Sequence, residues 1–306
     1  MGGRVPVLVA AAVVLAATLS GAGPAGAASP ACGDVLTADT TLTADLTCAG
    51  EALVVAAPGV TLDLGGHTIT GPGSRRGPAT GVAVVAAGVR VRNGTIRDFG
   101  SGVTSSAGQT HVTGLRLVGN GLGALFVSDG NRFQGNLLVG SSTGVRVRGD
   151  LNLVDGNALR RTGTGVFTSG SENSVVGNSI VGDRDPDVGI LASGRTRVSG
   201  NSVSGQPGAA GIFAASGITD VTGNRVFGNL DGISIYSGTV SGNLVFDNRR
   251  NGVNLELSGS VVVTANTAVG NAQLGIRGGP GAVDGGGNRA SGNGDPRQCT
   301  VVVCSP

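Results

Sequence analysis

The sequence predicts an all-β fold, a right-handed parallel β-helix built as a three-sheet solenoid of about eleven coils of about 21 residues each. Three observations predict it. A glycine recurs at a near-constant interval, a second Gly-Asn marker keeps register with it, and each interval holds three short β-branched runs.

The interval is set by Gly81, Gly102, Gly123, Gly144, Gly165, Gly189, Gly211, Gly232, Gly252 and Gly275, spaced by 21, 21, 21, 21, 24, 22, 21, 20 and 23 residues. An earlier coil begins near Gly59. Within one unit, Gly165-Val166-Phe167-Thr168, Ser174-Val175-Val176 and Ser179-Ile180-Val181 are too short for helices and are separated by turn residues, so they read as strands. Each strand then finds its partners in the coils above and below, about 4.8 Å away. Alternation assigns the faces: Val145 and Val147, Ile212 and Ala214, Ile233 and Ile235, and Val253 and Leu255 point inward. The second marker is Asn136, Asn157, Asn178, Asn201, Asn224, Asn243, Asn266 and Asn288. A bend between the second and third strands needs a residue tolerant of left-handed geometry, and stacked Asn side chains form a hydrogen-bonded ladder, so these residues are structural.

The ends read differently. Arg4, the uncharged apolar run 5–19 and Ala25-Gly26-Ala27 form a signal peptide over residues 1–27, so the protein is expected to be secreted. Residues 28–58 form an N-terminal cap, with the Leu/Thr alternation of 34–47 as its lid, 59–294 the helix, and 295–306 a C-terminal cap or tail. Pairing an N-terminal with a C-terminal cysteine would span about ten coils, about 50 Å, whereas bridged Cα atoms lie within about 7 Å. That leaves Cys32 with Cys48 and Cys299 with Cys304, bonds that persist in an oxidising compartment.

Composition narrows the partners. The chain has 58 Gly, no Trp and one Tyr, which predicts a thin repetitive core rather than one globule. Lys plus Arg number 21 against 19 Asp plus Glu, and one Arg lies in the leader, so the mature chain is about neutral and nucleic acid is excluded as a partner. No second long apolar run follows the leader, so no membrane association is expected after its removal, and a monomer is the expectation.

The segment Gly59-Val-Thr-Leu-Asp63-Leu-Gly-Gly-His67-Thr-Ile-Thr-Gly71, the repeated Gly-Ile/Val, Gly-Asn and Asn-x-x-Gly units and the Cys-ended tail resemble the secreted right-handed parallel β-helix repeat proteins of actinobacteria, in the pectate-lyase-like superfamily. The resemblance implies the fold and leaves the activity open, since that superfamily includes polyuronate lyases, glycoside hydrolases, uronate epimerases and tailspikes. Its catalytic signatures are incomplete here. There is no Asp-Asp and no Lys, Gly66-His67-Thr68 stands where polygalacturonases have Gly-His-Gly, and Asp185-Pro186-Asp187 is the nearest match to the epimerase Asp-Pro-His. With only His67 and His111 available, a copper role is disfavoured, and both histidines read as structural.

In polyuronate-processing β-helices the substrate lies along the outward face of the opening strands, beside the third turn. The longest third turn holds Asp183, Asp185 and Asp187, a possible Ca²⁺ site that competes with a solvated turn fixed by Pro186. Outward positions two and four after each opening glycine form two rows, Arg146, Phe167, Leu191, Phe213, Ser234 and Asn254, then Arg148, Ser169, Ser193, Ala215, Tyr236 and Glu256. Phe167, Phe213, Asn254 and Glu256 are the candidate substrate-binding residues, with rings under sugar faces and Arg on carboxylates. Arg146, Arg148 and Tyr236 are the candidate catalytic residues for β-elimination, which needs a base and a neutralised carboxylate. The expected function is binding of an extracellular polysaccharide, a polyuronate among the candidates; the alternative is a polysaccharide lyase or uronate epimerase assisted by Ca²⁺. A third reading, an ice-binding solenoid, is set aside because the Thr residues form no long flat ladder.

Overall fold

A computed structural model describes residues 29–74, 77–182, 188–256 and 259–306 of the chain; the expected leader, 1–27, lies outside them. Every described strand pairing is parallel, and the opening sheet stacks 13 strands, from Asp34–Leu36 to Cys299–Thr300. The other two faces stack in the same way, as where Leu153–Asp155 lies between Arg132–Gln134 and Asn173–Val176. Two longer strands, Arg90–Arg97 and His111–Val118, run continuously through both faces.

The solenoid has about twelve turns rather than the expected eleven. Three opening strands fall outside the glycine count: Asp34–Leu36 and Leu53–Val55, which pair with each other and then with Thr80–Val84, and Cys299–Thr300 at the other end. The coil expected near Gly59 is not one of them, because Gly59 precedes the second-face strand Thr61–Asp63 and not an opening strand.

The interior is a column of small branched aliphatics. Val145, Val147, Ile212, Ala214, Ile233, Ile235, Val253 and Leu255 are all buried, as alternation predicts, and Phe99, Phe126 and Phe133 are the largest fully buried side chains. Each buried Val, Leu or Ile contributes about 1.5–3 kcal/mol of transfer free energy. The buried residues form one continuous core along the axis, so the stabilisation is spread over the coils.

The Asn marker forms the expected ladder. The backbone N–H and the Nδ2–H of Asn136 donate to Oδ1 of Asn157 at 2.9 and 3.1 Å, and Asn157 donates likewise to Asn178 at 2.9 Å for both bonds. The run ends with Asn266 donating to Asn288. The left-handed residue at this bend is not the Asn, however, but the residue before it, as at Gly156 and Gly177 with φ of 62° and 63°. The Asn turns inward and satisfies buried amides instead. Shorter ladders occupy the other turns, with Asn131, Asn152 and Asn173 in the first and Asn229, Asn248, Asn271 and Asn293 in the third.

One rung departs from this rule. Ala265 takes the left-handed position ahead of Asn266, with φ of 53°. A Cβ in that region costs roughly 1–2 kcal/mol, partly offset by the lower entropy of the unfolded Ala chain. Ala265→Gly is therefore expected to stabilise the protein by about 0.5–1 kcal/mol, read as a higher urea midpoint at unchanged slope.

The two disulfides form as expected, Cys32–Cys48 with Cα atoms 5.6 Å apart and Cys299–Cys304 at 6.1 Å, one near each end of the stack. The larger loop contributes on the order of 3 kcal/mol to the N-terminal end, where one side of the sheet has no neighbouring coil.

Candidate functional site

The outward face of the opening sheet carries the first expected row as an unbroken line. Arg146 sits opposite Phe167, Phe167 opposite Leu191, Leu191 opposite Phe213, Phe213 opposite Ser234, and Ser234 opposite Asn254. The line continues to Arg277 and Thr300, which the same count of two residues after Gly275 would have reached for Arg277. The second row breaks. The register shifts after Ala192, so Ser193 faces Ser216, and Ala215 drops out of the line.

Four of the candidate residues meet in one place. Phe213, Tyr236, Asn254 and Glu256, with Ser234, Ile235 and Arg250, line a cavity of about 290 Å³. The rings of Phe213 and Tyr236 lie 5.8 Å apart, tilted by 50°. Parallel stacking explains this, because residues on successive rungs are brought side by side at the sheet spacing. Polar groups fix the floor. Asp231 is buried and accepts hydrogen bonds from the backbone and Nδ2 of Asn251 and, at 3.1 Å, from Nδ2 of Asn254. Arg250 stands 3.8 Å from the same carboxylate.

A second and wider cleft of about 630 Å³ adjoins it, lined among others by Asn251, Gln273, Arg277, Asp295, Arg297 and Thr300. Glu256 of the first cavity and Arg277 of the second form a 2.7 Å ion pair, so the two hollows share a wall. Arg297 pairs with Asp295 at 2.6 Å and holds that carboxyl down at about 2. Each guanidinium of this groove thus faces its own carboxylate: Arg250 with Asp231, Arg277 with Glu256, Arg297 with Asp295.

Asp231, Arg250, Arg277, Asp295 and Arg297 were not among the candidates. Asp231 and Asn251 lie immediately before the opening glycines Gly232 and Gly252, a position at the end of the third turn that the outward rows do not sample. The other candidates lie elsewhere. Arg146 stacks over Phe167, 5.6 Å from the ring centre, and Arg148 is exposed at the end of the same strand. Four rungs separate this strand from that of Tyr236, about 19 Å at the sheet spacing, so Arg146 and Arg148 do not converge with Tyr236 on a single bond. Asp183, Asp185 and Asp187 lie outside the described residues, and no group of three or more His, Cys, Asp or Glu suited to a metal occurs among those described. His67 bonds Asp45 at 3.2 Å near the N-terminal end, and Asp45 is held below the usual carboxylate range by the backbone N–H of Thr68 and by that imidazole.

Residues 143–294 match the family model described as right handed beta helix region, and the chain is a parallel β-helix solenoid. No curated protein matches it by sequence. Among solved structures it is similar to the catalytic domain of a GH87 alpha-1,3-glucanase in complex with nigerose, at TM-score 0.60 and 14% identity, over 87% of this chain and 62% of that one. It is also similar to the periplasmic alginate epimerase AlgG, at TM-score 0.55 and 16% identity, over 82% and 76% of the two chains. The tailspike protein of E. coli bacteriophage HK620 in complex with a pentasaccharide follows at TM-score 0.50 and 14% identity, over 88% and 59%. The chain thus spans about three fifths of the length of the glucanase domain. At these identities the likeness is one of fold.

Proposed function

We propose that this protein is secreted and binds an extracellular polysaccharide in the groove on the opening sheet, with Phe213 and Tyr236 as the sugar platform. The observation that carries this reading is the line of outward side chains, continuous over the rungs from Arg146 to Thr300, that deepens into two adjoining hollows where the aromatic pair stands. Aromatic faces pack against the C–H faces of sugar rings, while Asn254, Glu256 and Arg250 supply donors and acceptors for hydroxyls. A glucanase, an alginate epimerase and a tailspike of the same fold, two of them holding saccharides, support the ligand class. Two disulfides support an oxidising location.

The pairing of each arginine that lines the two hollows with a carboxylate favours an uncharged or sparsely charged glycan over a polyuronate there, because a uronate would have to displace a carboxylate already in place. Tyr236 then acts in binding, and Arg146 with Phe167 extends the strip away from the hollow. Elimination or epimerisation would need Arg146, Arg148 and Tyr236 on one residue of substrate, which the four-rung separation opposes.

The test is retention and titration of the purified protein on neutral glucans and on polyuronates, with and without Ca²⁺. Tyr236→Ala and Phe213→Ala are each expected to weaken glycan binding on the order of tenfold, about 1.4 kcal/mol, with the folded state unchanged by circular dichroism. Appearance of unsaturated product from a polyuronate would replace binding by elimination. Failure of every glycan to bind, or equal binding by both variants, would overturn the proposal.

A further inference from the structure

A second surface, away from the groove, carries charge of one sign. Arg90, His111 and Arg132 occupy the same outward position on three successive rungs of the second face, with His111 directly paired to Arg90 on one side and Arg132 on the other. Together with Gly88 and Gln109 they line a hollow of about 300 Å³ that contains no carboxylate. Both arginines are exposed and the histidine is half-buried between them.

The charge balance here differs from that in the rest of the molecule. No ion pair among the described residues uses Arg90, His111 or Arg132. Arg92, two residues along the same strand and on the same face as Arg90, is tied to Asp63 at 2.9 Å. Asp63 is paired with Arg92, Asp155 accepts from Nε2 of Gln134 at 3.0 Å and Asp129 from the backbone N–H of Asp150, and none of the three lines the hollow. Parallel pairing holds the two arginine Cα atoms about 10 Å apart with a shorter imidazole in the middle, so two long side chains can lean over one central point. Like charges stacked in this way repel one another, and an anion placed between them removes the repulsion.

We propose that Arg90, His111 and Arg132 form a binding site for an oxyanion, with the two guanidinium groups as bidentate donors and the ring N–H of His111 and the Gln109 carboxamide as further donors. The ligand class is a sulfate or carboxylate group, free or carried on an acidic glycan. The site is separate from the groove and does not rest on the function proposed for it.

The protein holds only two histidines, which makes the test direct. The imidazole resonances of His67 and His111 are followed by NMR while inorganic sulfate, a sulfated disaccharide and a uronate disaccharide are added in turn at constant ionic strength. His111 signals are expected to shift saturably, while His67, which lies outside the hollow, stays unmoved. Arg90→Gln with Arg132→Gln, both exposed, should lower affinity more than about tenfold. Saturation by sulfate alone assigns a free anion, and saturation only by a disaccharide assigns a glycan. Shifts that are linear, that are shared equally by His67, or that survive in the double variant overturn the site.

Discussion

Replacing Asn178 by leucine is expected to destabilise the protein by about 3–6 kcal/mol, although leucine is similar in size and the position is buried. The Oδ1 of Asn178 accepts both the backbone N–H and the Nδ2–H of Asn157 at 2.9 Å, and its Nδ2 donates to the carbonyl of Val154 at 2.9 Å. Leucine removes the acceptor of the Asn157 backbone N–H and of one Asn157 Nδ2–H, and the donor shared by the carbonyls of Val154 and Val176 and Oδ1 of Asn201, and a buried polar group left unpaired costs about 1–3 kcal/mol. The cost falls in the middle of a stack, where neither neighbour can turn to water. Asn178→Asp separates the acceptor role from the donor role. A carboxylate still accepts from Asn157, but it faces the carbonyls of Val154 and Val176 and Oδ1 of Asn201, where the native amide donates. Burial and these oxygens raise the folded-state pKa of the new acid above its unfolded value near 3.9. The folded state then holds the proton more tightly, so this variant loses stability as pH rises above about 4, and a protonated carboxyl restores a donor below it. Urea unfolding of wild type, Asn178→Leu and Asn178→Asp at pH 4 and 7 checks both points. A leucine variant within about 1 kcal/mol of wild type would show that the ladder is dispensable.

The fold was readable because its physics is periodic. The opening glycines, the Gly-Asn marker and the alternation of Val145 and Val147 each repeat at the coil length, and each follows from a short-range rule. The first row of outward residues was readable for the same reason, since a parallel ladder turns equal offsets from Gly144, Gly165 and Gly189 into neighbours in space. What escaped the sequence lies where the period fails. The extra residue that puts Ser193 opposite Ser216 leaves no mark in composition, because Ala215 and Ser216 suit an outward position equally well. Asp231, Arg250, Asp295 and Arg297 sit on or beside the third turn, whose length varies from coil to coil, so counting from a glycine does not place them. The groove is therefore half periodic and half irregular: Phe213, Tyr236, Asn254 and Glu256 were visible in the sequence, whereas Asp231, Arg250, Asp295 and Arg297 were not. The basic hollow shows a different limit. The alignment of Arg90, His111 and Arg132 is itself periodic at 21 residues, but it lies on the second face, away from the opening strands where a site was sought.

Gly165→Ala is expected to cost about 3 kcal/mol or more, the addition of one methyl group to a residue whose backbone is not in the left-handed region. The reason is proximity. A Cβ at Gly165 would stand 2.4 Å from the carbonyl oxygen of Gly189 in the next coil and 2.8 Å from Cγ2 of Ile180 inside the column. The same contact recurs at Gly144, 2.5 Å from the oxygen of Gly165, so the opening glycines form a column in which each backbone rests against the next. Ile180 can rotate away, but the carbonyl cannot, since the amide of Val166 is bonded to that same oxygen at 3.0 Å. Relief therefore requires two coils to part, which lengthens ladder bonds on the opening sheet and tilts the outward row from Arg146 to Phe213. Gly50→Ala provides the control, because a Cβ there meets nothing within 4 Å, and it should fall within about 0.5 kcal/mol of wild type. Thermal or urea unfolding of the two variants distinguishes close approach from backbone entropy: entropy alone predicts that both substitutions are neutral or stabilising, whereas contact with the Gly189 carbonyl predicts a loss at Gly165 only.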